Sequence, residues 1–354
     1  MKFFNIDLHI SVIADVKNIF NNLGHQVDNW SLSGHSWVFG ESQKNIEIIN
    51  QSNWINLNQE MCDRFYETYE DQLSEYDAFI TSYVPGFSTL YEKFDKPIIF
   101  ICPIRYEHPF TDNPEKWKWL NNHIEKGVKC GKIIPVANNK FDLEYFKSWV
   151  NCNIEHIPSL CEYTNSHHNP KHDFWICKSI LNIDLTETNI HHQFDIFPNG
   201  HSWESLYSFH GIVHFPYQIS TMSIFEQYSA GVPMLFPTKR FSKELYKESF
   251  DHGNSAYLNQ LSFNRLKNLG TRSLLEPQYS NLDLNNYSSD AVIDMALNLA
   301  DFYDEEMMPA VDYFDSFDEL DRMTENVGQF KPDNRQYRKE LIYSKWKNII
   351  EKIS

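Results

Sequence analysis

Short apolar runs alternate with helically spaced ones from the first residues of the chain, and this alternation limits the possible folds more than any other feature. Residues 2–7 are β-prone, and from Val12 the apolar positions Val12, Val16, Ile19, Phe20 and Leu23 recur at helical spacing until Gly24. Residues 26–32 read as a second strand that ends in the loop Ser33-Gly34-His35-Ser36-Trp37. Residues 77–83 and 97–102 read as buried strands, as do residues 133–137, which run through Asn138 and Asn139 into a helix over residues 141–149. Strands separated by helices imply a parallel, doubly wound sheet, whose ligands bind at the carboxyl ends of the strands.

A polar stretch without periodicity, Thr164-Asn165-Ser166-His167-His168-Asn169-Pro170, interrupts this pattern, and a second α/β series follows. Residues 203–209 read as helix, 211–215 as strand, 220–230 as helix and 232–236 as strand, and Ile342, Trp346, Ile349, Ile350 and Ile353 share one face of a final helix. A length of 354 residues exceeds a single core. The expected organisation is therefore an amino-terminal Rossmann-like domain over residues 1–165, a second over 166–330, and a terminal helix over 331–354 that packs back on the first.

Composition narrows the function classes. A formal charge of -17, from 31 basic and 48 acidic side chains, repels nucleic acid and anionic membrane surfaces, although a helix amino terminus with one or two cations can still bind a small diphosphate. No apolar run reaches the length of a membrane span. Asp7 and Asp15 interrupt what a signal peptide would keep apolar, and the 6 cysteines form no C-x-x-C pair, so a reduced, cytosolic protein is expected. The 15 histidines include His167-His168, His191-His192 and His214, but none falls in an H-x-x-x-H or H-E-x-x-H pattern; these read as surface and loop residues, with no metal site.

Residues 214–237, HFPYQISTMSIFEQYSAGVPMLFP, carry the most chemical information. A strand ends near Pro216, and a helix begins near Ser220 with Ser and Thr available as caps. Its free backbone N–H groups face the strand-end crevice, where they can cradle phosphate. Glu226 lies one to two turns further on, where a carboxylate can accept hydrogen bonds from the vicinal hydroxyls of a ribose. Gly231 ends the helix and Pro233 opens the next strand. A plain alternative is a core helix with Ile224, Phe225 and Tyr228 buried and Glu226 solvated.

Glu226-Gln227-Tyr228-Ser229-Ala230-Gly231-Val232-Pro233 resembles the E-x-x-x-x-G-x-P segment in the carboxyl domain of GT-B glycosyltransferases, including the large retaining family that uses nucleotide sugars. The resemblance implies two Rossmann-like domains facing one another across a cleft, a UDP- or GDP-sugar donor and no obligatory metal. It assigns the donor ribose to Glu226 and places Ser220, Thr221, Met222 and Ser223 beside the diphosphate. The family's E-x(7)-E pattern is altered, because Gln218 stands where the first acid is usual. The Arg and Lys pair that neutralises the diphosphate has no clear match: Lys171 and Lys178 are weak candidates, and Lys239 and Arg240 can supply the cation instead.

In the first domain His9 follows strand one, at the loop where inverting GT-B enzymes often place a base, with Asp7 as the acid that would orient it; a capping or core histidine is the alternative. Trp37 can stack on an acceptor sugar or cover the core. Arg105 follows a strand as a candidate phosphate or carboxylate ligand, or as a surface ion pair with Glu107 or Asp112, and Asn138 and Asn139 can bind ligand or turn the chain. The expected reaction is glycosyl transfer to a hydroxyl of a glycan or small molecule. A sugar-nucleotide epimerase and a non-catalytic two-lobed binding protein are the rival readings.

Overall fold

A computed structural model describes residues 1–107, 110, 113–150, 152–179, 185, 188–216, 218–251, 289–325 and 333–353. The chain divides into two compact units: the first holds Met1–Ser159 and the terminal helix from Leu341, the second begins at Leu160. Among the described residues no helix is long and apolar enough to cross a membrane.

The first unit follows the alternation in the sequence. Its elements in chain order are β1 (Lys2–Asp7), α1 (Ile10–Asn22), β2 (Gln26–Ser31), α2 (Gln59–Leu73), β3 (Ala78–Thr81), β4 (Ile98–Cys102), α3 (Pro114–Lys129), β5 (Ile133–Ala137), α4 (Lys140–Trp149) and β6 (Glu155–His156). The strands form a parallel sheet of 6 in the order β2-β1-β3-β4-β5-β6. Successive side chains of a strand point to opposite faces, which gives adjacent phenylalanines separate partners. Phe3 meets Phe20 of α1 at 4.9 Å, and Phe4 meets Trp30 at 4.8 Å and Tyr91 at 6.3 Å. Asn58, Asn113 and Asn139 cap α2, α3 and α4 by accepting backbone N–H bonds.

The second unit contains β7 (Trp175–Ser179), β8 (Ile190–His192), α5 (Gln193–Ile196), α6 (Trp203–Leu206), β9 (Ile212–Phe215), α7 (Met222–Ala230), β10 (Met234–Pro237), α8 (Lys239–Asp251), α9 (Asp290–Asn298), β11 (Val311–Phe314) and α10 (Phe317–Glu325). These strands form a second parallel sheet, of 5, in the order β11-β10-β9-β7-β8. α11 (Arg335–Ile353) belongs to the second unit up to Glu340 and to the first from Leu341. Within the first unit its Trp346 packs edge-on against Phe20 at 5.3 Å.

Several expectations change. The helix expected over 203–209 stops at Leu206, a single turn whose start is held by the reciprocal Ser202 and Ser205 capping box. The helix expected from Ser220 starts at Met222, with Thr221 in the cap position but making no side-chain cap bond. His191 and His192 are not loop residues; they form part of edge strand β8. The polar stretch after residue 164 is pinned to the second unit, since the N–H groups of His168, Asn169 and Lys171 bond the carbonyls of Ala230, Tyr207 and Ser208. Gly231 ends α7 at φ 77°, in the left-handed region that favours glycine, and a Cβ there would push aside the Arg335 guanidinium, whose Nη1 lies 2.1 Å from that position.

Candidate functional site

Each sheet has a point where the chain reverses its direction of growth, and the crevice at the carboxyl ends of the strands there is the natural ligand position of a doubly wound sheet. In the second unit this point lies between β7 and β9. β7 carries Lys178 close to its carboxyl end, and the loop after β9 leads into the first turn of α7. The Lys178 ammonium donates to Ser223 Oγ at 2.6 Å, and the Ser223 hydroxyl lies 3.4 Å from that of Thr221. A cation and two hydroxyls therefore converge at the positive end of a helix, an arrangement suited to a small anion. Burial pushes the Lys178 pKa below its ordinary value, and the Glu226 carboxylate pulls it back up.

Glu226 is half-buried on α7 and held by two side-chain donors, where the plain alternative has it solvated, while Ile224, Phe225 and Tyr228 are buried as that alternative has them. The Tyr163 hydroxyl donates to Glu226 Oε1, and Trp203 Nε1 donates to Oε2 at 3.2 Å. Gln218 and Ser220 lie in the loop before α7, where their side chains make no hydrogen bond among the described residues. Buried His214 on β9 bonds Gln227 Oε1 through Nε2 at 2.6 Å and stacks on Phe236. Burial, assisted by the Lys178 charge, lowers its pKa to about 3, so it is a neutral part of the wall. The Lys178 charge also lowers the pKa of His201, after burial.

Lys239 and Arg240 do not join this group. Arg240 is held by Asp315, with Nε 2.9 Å from Oδ2, and by Glu244 at 2.5 Å. Lys239 donates to Asn298 Oδ1 at 2.9 Å and lies over the Tyr303 ring. Lys178 takes the place considered for them. A lone cation near the end of a buried strand was the legible signal for it, whereas nothing in the sequence points to Tyr163 or Trp203. A cavity of about 520 Å³ lined by His167, His168, Gly231, Asp333 and Arg335 lies where α7 ends and β10 begins, at the amino-terminal end of that strand.

The switch point of the first sheet lies between β1 and β3. His9 at the start of α1 stacks on Tyr83, from the loop after β3, at 4.9 Å and 26°. It occupies the cap position of α1 without a side-chain cap bond, so the capping alternative does not apply. Its side chain reaches the surface, yet crowding of the ring lowers its pKa, and the nearby His35 adds to that effect. Asp7 is 0% exposed and lies beside the backbone N–H of His9 and the Ser31 hydroxyl; it accepts from Asn29 Nδ2 at 3.1 Å. It supports the His9 backbone and not the imidazole, which corrects the expected acid and base pairing.

Burial raises the Asp7 pKa to about 7. A carboxyl with a raised folded-state pKa favours folding while protonated, so its contribution is complete below the ordinary value of 3.8 and is lost as pH rises through 7. Asp7→Asn is expected to flatten the fall in stability between these limits, where one such group changes stability by at most about 1.4 kcal/mol per pH unit. Urea midpoints of both proteins across this range check it: parallel curves would show that Asp7 does not titrate there.

Arg105 is not a surface residue. At 9% exposure its Nη1 pairs with Asp142 Oδ1 at 3.5 Å, and its guanidinium lies over the Phe141 ring at 5.3 Å. Glu107 beside it is buried, with its pKa raised to about 7 by desolvation. Asn139 caps α4, and Asn138 Nδ2 donates to Ser159 Oγ at 3.2 Å, so both have structural partners. Trp37 is 70% exposed and does not cover the core.

Comparison with known proteins adds the following. No protein-family model matches the sequence, and no curated protein matches it. Among solved structures, the glycosyltransferase of kitacinnamycin is 12% identical, with 84% of this chain and 92% of that chain covered and a TM-score of 0.35. The glycosyltransferase SnogD from Streptomyces nogalater is 11% identical over 84% of this chain and 98% of its own, with a TM-score of 0.36. The S. aureus MnaA–UDP co-structure is 12% identical over 79% and 93%, with a TM-score of 0.30.

Proposed function

We propose that the chain is a glycosyltransferase that moves a sugar from a nucleoside-diphosphate donor to a hydroxyl of a glycan or small molecule. The observation that carries this reading is the Lys178 ammonium bonded to Ser223 at the first turn of α7, with Glu226 further along the same helix. In this reading Lys178, Ser223, Thr221 and the helix N–H groups hold the diphosphate, and Glu226 takes the ribose hydroxyls. During transfer the bond from the anomeric carbon to the phosphate oxygen breaks, and the diphosphate leaves with the electron pair. The acceptor oxygen forms the new bond and gives up its proton, for which the exposed imidazole of His9 in the first unit is the candidate base. Its lowered pKa leaves His9 neutral, and so able to accept a proton, at neutral pH.

The test is a thermal-shift panel of nucleoside diphosphates and their sugars. Some nucleoside diphosphate is expected to raise the melting temperature by several degrees, since a ligand at about 100 times its Kd stabilises by about 2.7 kcal/mol. Glu226→Ala is expected to abolish that rise. A flat response across the panel would remove the proposal. Epimerised donor formed without acceptor would support the epimerase instead.

A further inference from the structure

Glu226 is held in place by two side chains remote in sequence. Tyr163, in a single helical turn over Glu162–Thr164 at the start of the second unit, donates its hydroxyl to Oε1, and Trp203, at the start of α6, donates its indole N–H to Oε2 at 3.2 Å. The two rings meet edge to face with centroids 6.0 Å apart, so each limits the movement of the other. A free glutamate on a helix surface samples several rotamers, and ordering it at the moment of binding costs free energy. Here both carboxylate oxygens are already fixed.

A carboxylate offers about four acceptor positions, two on each oxygen. Tyr163 and Trp203 occupy one on each, and among the described residues nothing else donates to Glu226. One acceptor position per oxygen remains, in the plane of a carboxylate that cannot swing. That geometry fits two adjacent hydroxyls on one face of a five-membered sugar better than a single hydroxyl.

We propose that Tyr163 and Trp203 are positioning residues that set Glu226 for the vicinal diol of the donor ribose and so make the site select ribonucleotides over 2′-deoxyribonucleotides. The inference rests on the reading that Glu226 holds the donor ribose. Loss of one hydroxyl leaves one fixed acceptor position unfilled in a partly buried site, which is where discrimination arises.

The experiment compares Kd by calorimetry for UDP against dUDP and for GDP against dGDP, with the full chain and with Tyr163→Phe, Trp203→Phe and Glu226→Gln. Tyr163→Phe removes only the hydroxyl, and Trp203→Phe removes the N–H with the pyrrole ring while keeping a six-membered ring in place. The wild-type chain is expected to prefer the ribonucleotide by roughly 10-fold or more, the preference a single lost charged hydrogen bond gives. Each aromatic variant is expected to reduce that preference to less than about 3-fold while dUDP or dGDP binding changes by less than about 2-fold. Equal weakening of the ribo and deoxy forms would reveal a purely structural clip and overturn the proposal. A preference that disappears in Glu226→Gln but survives in both aromatic variants would overturn it while leaving the ribose reading intact. If no nucleoside diphosphate binds the wild-type chain, the ribose reading fails first and this inference with it.

Discussion

Lys178→Met is expected to weaken nucleoside-diphosphate binding about 100-fold, a loss of about 2.7 kcal/mol, without making the folded chain markedly less stable. The two halves of this prediction have one cause. Lys178 sits where burial already depresses its pKa, and the structure gives it a single hydroxyl partner at 2.6 Å and the field of Glu226. Keeping a charge there costs desolvation energy, and methionine fills similar volume without that cost. An anion at the start of α7 would lose its only cation in this group, and charge-assisted bonds of this kind carry the larger share of phosphate affinity. Calorimetric titration and urea unfolding of the same variant separate the effects. A loss of binding under about 3-fold, or unfolding that accounts for the loss, would remove Lys178 from the site.

Trp117→Ala is expected to cost about 3–5 kcal/mol of stability in the first unit. Trp117 is fully buried on α3, its ring centroid 4.6 Å from that of Trp149 and 6.3 Å from that of Tyr106. Its Nε1 also donates to the Tyr106 hydroxyl at 2.8 Å, which in turn donates to Asn121 Oδ1 at 2.5 Å. Truncation therefore opens a cavity and strips one partner from a buried chain of hydrogen bonds. Trp117→Phe keeps most of the volume and loses the N–H with part of the indole ring, so a smaller cost of about 1–2 kcal/mol is expected for it. Urea unfolding followed by circular dichroism measures both, and equal costs for the two variants would mean that the hydrogen bond, not the volume, dominates.

The parts of the molecule that were legible in the sequence are those determined by neighbouring residues. The helical spacing from Val12, the apolar runs of β3, β4 and β5, and the Gly231 and Pro233 punctuation around α7 are all local signals. The E-x-x-x-x-G-x-P resemblance identified a helix that the fold places at the switch point of the second sheet. What was not legible depends on contacts made across the chain. Tyr163 meets Glu226 over 63 residues and Trp203 over 23, and no spacing rule links them. Arg105 follows a strand in plain polar surroundings, and only folding brings Asp142 of α4 to it and removes both from water. His191 and His192 give no β signal of their own; β7 alongside supplies the hydrogen bonds that make them a strand. Asp7 is the acid nearest His9 in the sequence, but spacing does not tell whether it serves the ring or the backbone.

The edge contact between Trp346 and Phe20 has a consequence for how the protein is made. Phe20 is translated long before Trp346, with most of the second unit between them, so α1 waits for that intervening chain before this face can be covered. The middle of the chain faces no such delay, and its own sheet can assemble while translation continues. A ribosome that stalls between the two thus releases a product damaged far from the point of stalling, with α1 left open to proteases and to chaperones that bind exposed aromatic side chains.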